Sequence, residues 1–147
     1  MGWKKGVSDH SFVYEDIHVD VVNTKAKLIA KLNSYNPDAI GFHFIMGWMD
    51  KEIIRKFNGP ILIWVHGGEA LGWYRRLFQF SFPKILEFAR YVARNTIQMV
   101  QMHNLIKYAN TSDSVKMIFV SRWMKSITEK DTLTKIISPL FIAIAVG

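Results

Sequence analysis

Pro60-Ile-Leu-Ile-Trp-Val-His-Gly-Gly-Glu69 is the stretch on which the fold turns. Its five central residues, Ile61–Val65, are apolar without interruption and bounded by proline and glycine. That length and bounding suit a strand, and unbroken apolarity suits a parallel strand covered on both faces. Working back from it, Asn58-Gly59 ends a short helix, Lys51–Phe57, which Asp50 caps. Asp38–Ile45 reads as a strand, apolar but for His43. Asn36-Pro37 closes a helix, Lys25–Tyr35, with Leu28, Ile29 and Leu32 on one face, because a residue before proline avoids the helical region. Ile17–Val22 alternates apolar and polar, as a half-buried strand does. Working forward, Pro83 opens a long helix that runs to about Ala109. Its polar face is Glu87, Arg90, Arg94, Gln98 and Gln101, and its buried face Ile85, Phe88, Ala89, Val92, Met99 and Ile106. Asn110–Ser114 turns into a strand over Lys116–Val120. A helix over Arg122–Lys130 follows, and Lys135–Ile137 begins a last strand. Strand–helix alternation predicts an α/β fold with a mainly parallel sheet and right-handed crossovers.

The 147 residues suffice for one domain with a sizeable core, and half of them are hydrophobic, which excludes a long disordered tail. The absence of cysteine excludes disulfides, thiolate metal sites and a cysteine nucleophile. No run reaches the roughly 18–20 apolar residues of a membrane span, and the N-terminus lacks the apolar core of a signal peptide. A cytoplasmic protein is the expectation. The net charge of +7 is uneven. Residues 1–69 balance, whereas residues 70–147 carry eleven basic side chains against four acidic ones. That asymmetry predicts an anionic partner for the second half.

Ligands of parallel sheets bind at the carboxyl ends of strands. The residues there are His43, His66-Gly67-Gly68-Glu69 and Ser121-Arg122. His43, alone in an apolar strand, fits a core residue as well as a ligand-binding one. His66 follows its strand directly, Gly67 and Gly68 let a ligand approach the backbone closely, and Glu69 is placed to orient an imidazole or accept a proton. The same glycines also fit a tight turn alone. His43, His66, Glu69 and His103 are metal-binding residue types, but no H-x3-H or HExxH spacing joins them, so no metal and no cofactor is expected.

Two families share a strand that ends in His-Gly-Gly. In α/β-hydrolase esterases it builds the oxyanion hole, but those enzymes need a G-x-S-x-G elbow. Phe119-Val-Ser-Arg-Trp123 holds Ser121 without either glycine. The broader resemblance is to retaining, family-4-type glycosyltransferases of the GT-B fold. Asn36-Pro-Asp-Ala-Ile-Gly-Phe-His43 is similar to their "kPDvihvH" strand. Pro60–Glu69 is similar to "pvvvtvHg-E", and Lys116–Lys125 to "ivavSewlk". The three stand in the family's order and together span roughly residues 36–130.

The resemblance implies a three-layer, Rossmann-like, acceptor-side half of a GT-B enzyme, one domain over residues 1–147 and incomplete. It would transfer a sugar from a nucleotide-sugar donor to a glycan or glycolipid, and it would be inactive without a donor domain. His66 matches the family's active-site histidine, so it is the implied catalytic residue, with Gly67, Gly68 and Glu69 in its loop. His43, Ser121 and Arg122 are the implied substrate-binding neighbours, and no nucleophile is assigned. The chain departs from the pattern in two places. It shows no opening apolar strand with a glycine-rich loop, and no "E-x7-E" donor motif. The apolar ending, Ser138–Gly147, reads equally as a truncation scar, a frameshifted end or a natural strand.

The loop Gly72–Phe82 sets Trp73, Tyr74 and three phenylalanines beside Arg75 and Arg76. Trp73, Arg75 and Arg76 fit an anionic acceptor or a peripheral contact with a membrane surface; they also fit aromatics packed under the long helix with solvated arginines. A non-catalytic glycan- or membrane-binding module is therefore an alternative function. Nucleic acid is not an expected partner, since no binding motif accompanies the charge.

Overall fold

The computed structural model describes residues 8–43, 45, 47–67, 70–79 and 85–142. The chain divides into two compact units, Met1–Asp38 and Ala39–Gly147.

The first unit is a hairpin followed by a helix. Strands β1 (His10–Tyr14) and β2 (Ile17–Val21) pair antiparallel, with Phe12 opposite Val19 and Tyr14 opposite Ile17. The two-residue turn, Glu15-Asp16, has both φ angles positive, at 45° and 65°. That geometry follows the strands' twist but usually recruits Asn-Gly. Helix α1 (Lys25–Tyr35) has the bounds its sequence predicts. The Thr24 side chain caps it by accepting the Lys27 amide, and Asn36 ends it in the left-handed conformation with φ 45°. None of its residues is buried. Polar contacts join helix and hairpin: Asp20 accepts from the Ser11 and Tyr35 hydroxyls and from Lys31 Nζ at 2.9 Å, while Asp9 pairs with Lys27 and accepts the Asn23 amide at 2.9 Å.

The second unit is α/β. Strands β3 (Ile40–Phe42), β4 (Ile61–Val65), β5 (Val115–Phe119) and β6 (Leu140–Phe141) form one parallel sheet, in chain order. This is the predicted mainly parallel sheet, compatible with a Rossmann-like fold. Between β3 and β4 the chain makes α2 (Gly47–Met49), which runs into a π-helical turn, Asp50–Ile54. Asp50 lies inside this element rather than capping it, and its buried carboxylate is held by both Nε and a terminal nitrogen of Arg55, at 2.9 and 3.1 Å. Helix α3 (Ile85–Thr111) links β4 to β5, and α4 (Arg122–Thr132) links β5 to β6.

Right-handed crossovers between strands in sequential order place the connecting helices on one face. The burial pattern agrees. Ile61, Ile63 and Val65 of β4 are buried with Val115, Met117 and Phe119 of β5, beneath Met102, Leu105 and Ile106 of α3. Leu62, between them, is 42% exposed. The unbroken apolar run of β4 thus has one covered face and one half-open face. The buried side of α3 lies in its C-terminal half, while Ile85 and Ala89, expected inside, are exposed. The last of the described strands is not Lys135–Ile137 but Leu140–Phe141, which forms one edge of the sheet opposite β3. Pro83 lies outside the described residues.

Candidate active site

Three strand ends meet at the carboxyl edge of the sheet. The pairing of Phe42 with Ile63 and of Ile63 with Met117 brings His43 beside Trp64, and His66 onto the same face two residues on. His66 Nε2 stands 3.3 Å from His43 Nδ1. The ring of His43 stacks on Trp64, centroid to centroid 5.0 Å, and on His66 at 5.4 Å. His43 is exposed, so its core reading gives way to a place in this cluster. Of the two imidazole nitrogens that face each other, one donates and the other accepts, so the pair holds one proton between two bases. That arrangement can accept a hydroxyl proton or hold a polar ligand.

Gly67 follows at φ +102°, a conformation that excludes ordinary side chains, and the Ala70 amide donates to its carbonyl at 3.1 Å. A Cβ on Gly67 would stand 2.7 Å from Met124 Cε, so the loop after β4 lies against the first turn of α4. Gly68 and Glu69 lie outside the described residues. Ser121 is the N-cap of α4, and its hydroxyl accepts the Met124 amide at 3.1 Å. The hydroxyl is therefore engaged as a cap, and its neighbour Arg122 is exposed.

The arginine–aromatic loop has internal partners. Asp131, whose side chain is fully buried, accepts the Gly72 amide at 2.7 Å, the Tyr74 hydroxyl, and Arg75 Nε at 2.6 Å. Burial pushes the Asp131 carboxyl up, and Arg75, Tyr74 and the Gly72 amide more than reverse this, so it titrates below the usual range. The same contact raises the Tyr74 hydroxyl and the Arg75 guanidinium. Buried Asn95 accepts the Trp73 amide at 2.7 Å and donates to the Leu71 carbonyl at 2.9 Å. The Trp73 ring meets Tyr74 and Phe88 edge-on. Trp73 and Arg75 are thus packed and paired within the unit, and Arg76 is half-buried without a partner among the described residues.

Sequence reasoning missed Trp64, Asn95 and Asp131. Trp64 was within reach, because a period of two puts residues 62, 64 and 66 on one face. The other two act across long chain separations. The strand order never reverses, so the described strands offer no crevice of the switch-point kind. In the first unit, a groove of about 530 Å³ runs between hairpin and helix, but its aspartates and lysines pair with one another. Among the described residues, no three His, Asp or Glu gather to hold a metal ion, and no helix is long and apolar enough to cross a membrane. No protein-family model matches the chain, and no curated protein or solved structure shows significant similarity to it.

Proposed function

We propose that the chain is the acceptor-side half of a retaining GT-B glycosyltransferase, with His66 facing the transferred sugar and His43 beside the acceptor. The observation that carries the reading is the meeting of these two imidazoles, 3.3 Å apart, at the ends of adjacent parallel strands. Polar bases at that edge are what a hydroxyl-bearing acceptor requires. Gly67, at φ +102°, shapes the turn that carries His66, and Ser121 and Arg122 stand at the neighbouring strand end in this reading. Nucleotide-sugar binding belongs, in this reading, to a second domain. The sheet's half-exposed face would be covered in the working enzyme, which gives three layers.

The test follows the imidazole signals of His43 and His66 by NMR during titration with short oligosaccharides and sugar phosphates. Both are expected to move, and binding should weaken at least tenfold in His66→Ala. Micromolar binding of UDP or GDP by this chain alone would overturn the acceptor-side assignment. Turnover of p-nitrophenyl esters that disappears in Ser121→Ala would favour the hydrolase instead.

One observation favours a peripheral membrane contact as well. Phe78 is 81% exposed and Leu77 51%, directly after Arg76. Exposed apolar groups beside cations suit an anionic lipid surface or a lipid-linked acceptor. Sedimentation with phosphatidylserine vesicles should fall when Arg76 and Phe78 are replaced by glutamate and serine; unchanged sedimentation removes this contact.

A further inference from the structure

The spacing of the two imidazoles suits a metal ion. We propose that His43 Nδ1 and His66 Nε2 chelate one divalent ion of tetrahedral preference, zinc above all. Two ligand atoms at about 2.0–2.1 Å from a tetrahedral ion lie about 3.3–3.4 Å apart, whereas neighbouring ligands of a square-planar ion at the same bond length lie about 2.9 Å apart. The observed separation is 3.3 Å.

The scaffold is already arranged for it. The two residues leave adjacent, hydrogen-bonded strands, so their backbones are fixed relative to each other. Stacking on Trp64, at 5.0 Å for His43 and 6.1 Å for His66, limits the rotation of both rings. Both residues are exposed, which gives an ion a path from solvent. On binding, the one proton between the facing nitrogens moves to the outer nitrogen of the ring that carried it, the other ring keeping its own, so that His43 is protonated on Nε2 and His66 on Nδ1. Both ligands are then neutral imidazoles. Among the described residues no third His, Asp or Glu joins the pair, so water or a ligand oxygen can complete the ion's shell, as in open rather than purely structural sites. Spacing motifs pass over such a pair because its members stand 23 residues apart on different strands. The inference does not depend on glycosyl transfer.

The full chain, labelled with ¹⁵N in histidine, is titrated with zinc chloride in the absence of any sugar. The His43 Nδ1 and His66 Nε2 signals are expected to move to metal-bound positions and saturate at one ion per chain, with His10, His18 and His103 unmoved. Zinc that moves neither signal overturns the proposal, whichever variants fold. His43→Ala and His66→Ala are each expected to weaken binding at least tenfold, and a variant that binds as tightly as the unaltered chain also overturns it. If amide spectra show an alanine variant unfolded, His43→Asn or His66→Asn takes its place with the same two outcomes.

Discussion

Gly67 shows how one residue fixes the candidate site. Its φ of +102° is closed to side-chain-bearing residues, and an added Cβ would press on Met124. The thioether end can shift, but the backbone angle cannot be relieved without moving His66. Gly67→Ala is expected to lower stability by about 1–3 kcal/mol, measured by urea unfolding, and to disturb the His43 and His66 signals together. Asp20 is the corresponding residue of the first unit. The Ser11 and Tyr35 hydroxyls and the Lys31 ammonium hold its carboxyl well below the usual carboxylate range. A carboxyl depressed on folding stabilises the fold above its unfolded pKa of about 3.9 and loses that effect as pH falls through the folded value. The contact between hairpin and α1 should therefore loosen on acidification below about pH 4. Amide exchange in α1 checks this, with Asp20→Asn expected to flatten the acid dependence.

At the scale of elements, local chemistry predicted some boundaries and long-range chemistry decided the rest. Helix α1 was legible because Thr24, Asn36 and Pro37 act within a few residues of its ends. The cores of β4 and β5 were legible from apolar runs. β1 was missed because its turn, Glu15-Asp16, lacks the glycine or asparagine that flags left-handed geometry. The Trp73–Gln79 segment, two short helical turns kinked at Arg76, is not legible as such because its anchors, Asn95 and Asp131, sit on α3 and α4. The meeting of His43 with His66 required the register between β3 and β4, which composition does not encode. Ser121 illustrates a residue whose local role is explicit. Its side chain caps α4, so Ser121→Ala should cost about 1 kcal/mol in thermal or urea unfolding, and loss of less than about 0.3 kcal/mol would count against the cap.

For the whole molecule, the contrast between the two units governs stability. Among the described residues, the buried hydrophobic ones belong to Ala39–Gly147, whereas no residue of α1 is buried. Regions with few buried apolar contacts open at low free energy. Hydrogen exchange should therefore find α1 amides fast and those of Ile63, Val65 and Met117 slowest, and equal protection would refute this ordering. Within residues 70–147 Arg75 pairs with Asp131 and Lys125 with Glu129 at 2.6 Å, and because both carboxylates already count in the balance, the excess of basic groups is undiminished. Strand order has a consequence for synthesis. Because β3, β4, β5 and β6 lie side by side in chain order, a nascent chain emerging from the ribosome adds each strand to the edge its predecessor has just exposed. No strand has to be threaded between two that are already paired, so the sheet can grow in one direction at the pace of translation.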